Sequence, residues 1–166
     1  MIISILCRSD DSITRRELAQ HLEDAAFLDN PVYEPPVDSE AAADPEWHVM
    51  VVRYDPRRRP IILRAASAAG GLAEAMMEEM AEHFGSAALH LTSVRDHVMS
   101  CRRIIDIEID PVGITDDGWE ACDHMEHCLA SRLGGLVYVP GEGIYDANLQ
   151  RILKRPRLSS TGAEPA

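Results

Sequence analysis

The sequence predicts a folded α+β protein, with a mixed or antiparallel sheet and helices mainly on one face of that sheet. The clearest observation is the stretch 104–110, in which isoleucine alternates with acidic residues. Because successive side chains of a strand point to opposite sides of a sheet, this alternation predicts a half-buried strand with one carboxylate-lined face. Helical periodicity over 116–133 and an apolar strand over 136–139 follow, so we expect a C-terminal strand–helix–strand extension.

The chain opens with the pattern of a strand and a capped helix. An apolar run over 2–7 predicts the strand. Thr14 and Glu17 then have the spacing of a capping box, which satisfies free backbone donors at a helix start. Leu18 and Leu22 give this helix an apolar stripe that we expect to face the core.

Two apolar strands and further helices follow. Strands over 47–54 and 60–67 are joined by a proline-marked link, which predicts an antiparallel hairpin. We expect a helix over 71–84, a short strand over 87–91 and a connecting helix over 92–103. The first six elements, up to the short strand, have the ferredoxin-like order βαββαβ. A ferredoxin-like core followed by the C-terminal β-α-β extension is therefore the specific fold prediction.

The C-terminal end predicts a turn, a short strand and a short helix. Pro140 and Gly141 occupy the central positions of a type II turn, after which 143–145 can pair back as a strand. Asp146 can cap a final short helix. Residues 155–166 are small, polar and proline-containing, which predicts a disordered tail. We therefore expect one α+β domain over 1–154.

A long acidic loop over 27–46 interrupts this domain. The loop contains four prolines, and residues 24–46 carry seven acids and no base. Prolines at these positions disfavour regular structure, because each removes a backbone donor and fixes its own φ. Loops of this length inside a compact domain are functional or disordered, and we expect a mobile acidic flap.

Composition excludes several classes of protein. A formal net charge of −12 argues against binding to the phosphate backbone of nucleic acids. The four cysteines have no zinc-ribbon spacing, and we expect neither a signal peptide nor a membrane span. Basic charge comes almost wholly from arginine and alanine is frequent, which indicates a GC-rich bacterial gene. The sequence therefore predicts a cytoplasmic bacterial protein with free thiols and no cofactor.

The acids of the loop and of the 104–110 strand are the predicted partner-binding residues. A strongly acidic surface is complementary to a protein partner with a basic surface, and a homo-oligomer is left open. The predicted set is Asp29, Glu34, Asp38, Glu40, Asp44, Glu46, Asp106, Glu108 and Asp110. Solvated charge that keeps the sheet soluble is the alternative for the strand acids.

The main basic cluster predicts an anion site. Arg57, Arg58 and Arg59 lie in the link between the two apolar strands, and Arg53 lies on the first of these strands. Arginine side chains bind carboxylates and phosphates with paired hydrogen bonds, so the cluster could clamp an anion. A solvated basic loop is the alternative.

The helix over 116–133 carries the candidate metal ligands. His124, His127 and Cys128 are three and four positions apart, so two or three of them could converge on a metal ion. No fourth ligand is predictable, and the spacing is not that of a zinc protease. Glu126 lies near the edge of the apolar stripe, where a carboxyl needs an arginine partner or acquires a raised pKa suited to acid–base chemistry.

Cys7 is the candidate nucleophile, because it follows the first strand, lies beside Arg8 and precedes a helix start. Such surroundings lower the pKa of a thiol. However, Cys7 also continues the alternation of the apolar strand, and the sequence shows no general base for it.

These observations leave three hypotheses open. The first is a non-enzymatic interaction protein such as an adaptor, an immunity-type inhibitor or a chaperone-like factor, because no complete catalytic constellation occurs. The second is a module that senses a small anion through the arginine cluster. The third is a small enzyme that uses Cys7 or a His/Cys metal site. The first is the predicted function.

Overall fold

A computed structural model of the chain describes residues 1–85 and 92–154, which form four helices and one eight-stranded sheet. The elements in chain order are β1 (Ile2–Cys7), α1 (Arg15–Ala25), β2 (Val32–Glu34), a 3-10 turn (Ala41–Ala43), β3 (Val49–Arg53), β4 (Ile61–Ser67), α2 (Leu72–Phe84), α3 (Thr92–Met99), β5 (Arg103–Glu108), α4 (Asp116–Leu133), β6 (Gly135–Val139), β7 (Gly143–Tyr145) and β8 (Arg151–Lys154). The strand predicted over 87–91 and the tail predicted over 155–166 lie outside the described residues.

The sheet has the order β2-β3-β4-β5-β1-β6-β7-β8, and all neighbouring strands are antiparallel. β1 lies between β5 and β6 and runs antiparallel to both, so β5 and β6 run parallel and α4 connects them. This split β-α-β unit is the predicted C-terminal extension. The ferredoxin-like core is not confirmed. In a ferredoxin-like sheet, each helical crossover connects two strands that have one strand between them. Here the connection through α2 and α3 joins β4 to β5, which are adjacent, and two strands separate β1 from β3.

Helices cover both faces of the sheet, not mainly one face as predicted. α1 and α4 pack on the first face, where Leu22 and Met125 join a core with Ile5 and Ile107 of the central strands. α2 and α3 pack on one end of the second face, in a smaller core that includes Met80. The second core exists because the residues of β1, β5 and β6 that face the second side of the sheet are apolar at that end.

Local signals fix several boundaries. Thr14 and Glu17 form the complete predicted capping box at the start of α1. The predicted turn between β6 and β7 is also present, since the Glu142 amide donates to the Val139 carbonyl at 3.0 Å and Gly141 has φ +79°. Among the described residues, no helix is long and apolar enough to cross a membrane.

The final short helix is a wrong prediction. Residues 146–150 form a turn in which Leu149 has φ +58°, a left-handed conformation that a helix cannot contain. Residues 151–154 then form β8, which pairs with β7. The apolar residues of this segment serve a strand instead of a helical stripe.

Candidate functional site

The part of the second sheet face that α2 and α3 leave uncovered is the first candidate surface, and we call it the open face. α2 and α3 cover only the end of this face formed by Leu6, Ile104 and Tyr138. The outward residues of the remaining part, from β2 to β1, are Ile2, Ser4, Val32, Glu34, Val49, Val51, Arg53, Ile62, Arg64, Asp106 and Glu108.

Strand pairing aligns an apolar row across the open face. Ile2 is opposite Glu108, which is opposite Ile62 on the next strand. Ile62 is opposite Val51, which is opposite Glu34 on the edge strand. Directly paired residues share one face of a sheet and contact each other. The row therefore crosses five strands in the order Glu34, Val51, Ile62, Glu108 and Ile2, so that Val51 and Ile62 lie between two acids and Ile2 lies beyond Glu108.

Several aliphatic side chains of the open face are exposed to solvent. Ile2 is 47%, Val32 58% and Val49 39% exposed. Strand pairing sets each of these three residues opposite a charged one, namely Glu108, Arg53 and Arg64, so the face combines exposed aliphatic and charged surface. β2 forms the edge of this surface and has no further strand beside it in the described sheet.

The charges of the open face are mostly paired within it. Arg53 contacts Glu34 at 2.6 Å and Arg64 contacts Glu108 at 3.4 Å. Both pairs are exposed, so each contributes little to stability. Asp106 is the remaining acid. It accepts a hydrogen bond from Ser4 Oγ at 2.6 Å, and burial raises the pKa of its carboxyl. The face as a whole has a surplus of one acid.

The open face ends in a cavity beside α2, which we call the anchor pocket. Its volume is about 180 Å³. Leu72 and Met76 of α2 form an apolar wall, and Glu79 and Asp106 supply two carboxyl groups. Glu79 is held in place because the Tyr138 hydroxyl donates to it at 3.0 Å. None of the described residues that line the pocket is basic, whereas two of them are acidic.

The predicted strand acids are only partly brought together. Asp106 and Glu108 lie on the open face, as the alternation of the strand predicts. Asp110 does not belong to this ladder, because β5 ends at Glu108. Its side-chain and backbone oxygens instead accept hydrogen bonds from the amides of Val112 and Gly113 in the following turn.

The predicted acidic flap is a folded strap, by which we mean residues 27–46. It contains β2 and the 3-10 turn. Two arginines of α1 fasten it: Arg15 donates to backbone oxygens of Ala41 and Val49, and Arg16 donates to those of Val37 and Ser39. These contacts give the strap a defined conformation, in contrast to the mobile flap that the sequence predicts.

Fastening the strap through its backbone leaves its acids at the surface. All six predicted acids of the strap are exposed. Glu34 pairs with Arg53, and Glu46 contacts Arg103 at 3.2 Å. In the described part of the chain, the other four make no ion pair; they are Asp29, Asp38, Glu40 and Asp44. The strap is thus a strip of available negative charge.

The predicted anion site is spread over two places. Arg53 lies on the open face with Glu34, whereas Arg57 pairs with Asp55 inside the loop between β3 and β4. Arg58 and Arg59 are exposed in the same loop. A neighbouring cleft of about 410 Å³ is lined by Arg57 and three aspartates, Asp29, Asp55 and Asp117. This lining repels an anion more than it attracts one.

The predicted metal ligands point to different neighbours. The His124 ring packs edge-on against Phe27, with centroids 5.6 Å apart. His127 Nδ1 lies 2.6 Å from the Ala147 carbonyl oxygen, and Cys128 is half-buried. No group of three or more His, Cys, Asp or Glu within residues 1–85 and 92–154 is arranged to hold a metal ion. The structure does not gather the three residues into one site.

Cys7 is a core residue. Its side chain is 1% exposed and packs in the core of the first sheet face. Burial raises the pKa of the Cys7 thiol to about 12, with a further contribution from Cys101. A nucleophilic thiol needs a lowered pKa, so this environment is the opposite of the one that the third hypothesis requires.

A second cavity, the α4 cleft, lies between α4 and the turn that joins β6 to β7. Its volume is about 250 Å³, and its lining includes Glu126, Asp123 and Glu142. Burial, together with the charges of Asp123 and Glu142, raises the pKa of Glu126 to about 8. Among the described side chains, no arginine or other donor bonds to Glu126. The arginine partner expected at this helix border is therefore not found among the described residues, and burial favours the protonated form of the carboxyl.

Some residues of these sites had no signal in the sequence. Ser4 and Glu79 reach the open face only through strand pairing and helix packing between distant segments. Glu142 reaches the α4 cleft through the turn after β6. Glu126 alone was marked by its helical position.

Comparison of the chain with protein-family models, curated proteins and solved structures finds no match.

Proposed function

We propose that the protein is a non-enzymatic interaction module that docks a basic, amphipathic segment of a protein partner on the open face. The observation that supports this most directly is the apolar row of Ile2, Ile62 and Val51, which runs toward the anchor pocket. A partner's aliphatic side chains would cover this row. A partner's lysine or arginine would place its stem against Met76 and its charge between Glu79 and Asp106.

Charge favours a different basic protein over a second copy of this chain. Two copies would bring together two molecules of net charge −12, and long-range repulsion opposes that encounter. The open face itself has a surplus of acid, and both charged groups of the anchor pocket are carboxyls. A basic partner supplies the charge that these groups lack and favours the ionised form of Asp106.

The negative charge of the strap would speed the association of this protein with its basic partner. Glu34 belongs both to the strap and to the open face, whereas the strap residues over 37–41 are fastened to α1 on the first face, so the unpaired acids would act at a distance. Exposed charges near an interface raise association rates more than they lower dissociation rates, and salt screens them. Neutralising Asp38, Glu40 and Asp44 together should therefore slow association and flatten its dependence on salt.

The proposal can be tested by quantitative affinity capture from host lysate with matched variants. Val51→Lys and Ile62→Arg place a charge in the apolar row, whereas Val112→Lys adds the same kind of charge at a loop residue that is 95% exposed. We expect the wild type and Val112→Lys to enrich the same protein and both row variants to lose it. Circular dichroism checks that each variant is folded.

Two results would count against the proposal. The first is a profile that the row variants share with Val112→Lys, including a profile with no enriched protein. The second is a dimer of the wild type in light scattering that Ile62→Arg converts to a monomer, since the occupant of the open face would then be a second copy.

A further inference from the structure

The α4 cleft contains a buried acid that lacks a counterpart. Glu126 is only 6% exposed, yet its side chain lines the cleft. Within the described chain, its carboxyl has no hydrogen-bond donor. In the described residues only Arg15 Nε and His124 Nε2 are fully buried side-chain atoms without a partner, so the Glu126 oxygens open into the cleft, where an occupant can reach them. An occupant with a donor would satisfy the carboxyl.

The titratable groups around Glu126 are mostly acidic. Asp123 faces it from the same helix and Glu142 from the turn after β6, while the Cys122 thiol is adjacent on α4. Tyr145 of β7 also lines the cleft. Among the described lining residues, the amino group of Met1 is the one positive charge, and it donates to the Ile109 carbonyl oxygen at 2.8 Å. Negative charge therefore exceeds positive charge in the cleft.

The remaining walls are apolar and aromatic. Trp119 and Tyr145 are half-buried in the lining, and Leu149 borders it from the turn before β8. Aromatic faces attract ammonium and guanidinium groups. The Tyr145 ring already binds one such group, because the guanidinium of Arg151 lies 5.3 Å from its centroid.

We infer that the α4 cleft binds a small organic amine, with the ammonium group at Glu126 and a short apolar or aromatic body against Trp119 and Leu149. The ammonium supplies the donors and the positive charge that the three carboxyls lack. The cleft, at about 250 Å³, lies below the usual range of drug-sized sites, so the body is small.

Other ligand classes fit less well. An anion would meet three carboxyls. Within residues 1–85 and 92–154, no cluster is arranged as a metal site. A neutral apolar molecule would leave Glu126 without a donor. This inference does not depend on the open face, because the α4 cleft lies with the core of the other sheet face.

The test uses the full chain and the probe 2-phenylethylamine, titrated by calorimetry at pH 8. Its alcohol analogue 2-phenylethanol is the matched control, because it has the same body and no positive charge. A third titration uses magnesium chloride. We expect saturable binding of the amine and none of the alcohol or magnesium. No saturable amine binding, equal binding of the alcohol, or binding of magnesium alone would overturn the inference.

Variants separate the role of Glu126 from a general effect of charge. Glu126→Gln keeps the shape of the side chain and should weaken amine binding by about tenfold or more. Glu120→Gln removes an exposed acid from the same helix outside the cleft lining and should leave binding unchanged. Equal affinities of the two variants would overturn the assignment of Glu126.

Proton release gives a readout that a structural role of Glu126 would not produce. Burial holds the pKa of Glu126 at about 8, so this carboxyl is largely protonated at pH 7. An ammonium beside it favours the ionised form, and binding then releases a proton to the buffer. Titrations at pH 7 in buffers of different ionisation enthalpy should show this release in the wild type and not in Glu126→Gln. Binding without proton release would overturn the proposed contact.

Discussion

Trp47 donates its indole N–H to the carbonyl oxygen of Ile13 at 2.7 Å, and both residues are buried. This hydrogen bond joins the end of the strap to the residue just before the cap of α1. Together with the fastening by Arg15 and Arg16, it explains how a proline-rich acidic segment becomes part of the folded domain while its carboxylates stay in solvent.

Replacing Trp47 by phenylalanine should destabilise the protein. The substitution removes the donor to a buried carbonyl oxygen and some buried area, which costs about 1–3 kcal/mol. Urea unfolding would measure the change in free energy. Trp119→Phe is the control, because Trp119 is half-buried and makes no side-chain hydrogen bond to the described residues. Equal losses for the two variants would show that the bond to Ile13 contributes nothing specific.

Arg16→Lys should loosen the strap. The guanidinium of Arg16 binds two carbonyl oxygens at once, those of Val37 at 2.8 Å and Ser39 at 2.9 Å, and a lysine ammonium lacks this fork. Digestion of the native protein with a glutamate-specific protease should therefore cleave several-fold faster after Glu40, because local opening limits cleavage. Arg59→Lys, at an exposed loop residue, should cleave like the wild type. An unchanged rate for Arg16→Lys would mean that the other contacts suffice.

Local sequence patterns predicted the helices and strands whose start and end signals lie in or next to the element itself. The helix over 116–133 has the predicted bounds, because Thr115 caps its start and Gly134 ends it in a left-handed conformation. The first strand also has its predicted bounds. By contrast, β8 covers only four residues, too few for its apolar spacing to separate a strand from a helix.

Local sequence patterns could not predict the order of the strands in the sheet. The ferredoxin-like core is not confirmed, because β5 pairs with β1, a contact between residues about a hundred positions apart that no local rule specifies. The open face follows from the same pairing. The alternation correctly predicted that Asp106 and Glu108 share one side of a strand, but their neighbours Arg64 and Ile2 come from other strands.

The thiols should react slowly in the native protein. Burial raises the pKa of Cys7 to about 12 and that of Cys101 to about 11, and it also raises the pKa of Cys122 and Cys128. Few thiolates exist at pH 7.5, so labelling with a disulfide reagent should be at least about a hundredfold slower than in urea.

Cys128, which is half-buried, should be the first thiol to react, and Cys128→Ser should remove that phase. Labelling of Cys7 ahead of Cys128 would contradict the burial of Cys7 and revive the hypothesis of a nucleophilic thiol.

Gly143 should tolerate no side chain. A Cβ at this position would lie 2.5 Å from the backbone oxygen of Leu153 on β8, and backbone cannot move aside cheaply. We expect Gly143→Ala to cost about 2 kcal/mol or more in urea unfolding. At Gly113 the nearest atom, 2.6 Å away, belongs to the flexible side chain of Asp110. Gly113→Ala should therefore cost less than half as much, and a reversed ranking would contradict the pairing of β7 and β8.

Glu126 should make the protein less stable as the pH rises. Its carboxyl has a pKa of about 8 in the folded chain, against an ordinary value of 4.5, so folding opposes its ionisation. The penalty is absent below about pH 4.5, reaches about 3 kcal/mol near pH 7, and becomes constant above about pH 8 at no more than about 5 kcal/mol. Glu126→Gln should equal the wild type in stability at pH 4 and exceed it at pH 9, measured by urea unfolding. Glu120→Gln should follow the wild type at both values. A constant difference between Glu126→Gln and the wild type across this range would show that Glu126 ionises as freely in the folded chain as in the unfolded one.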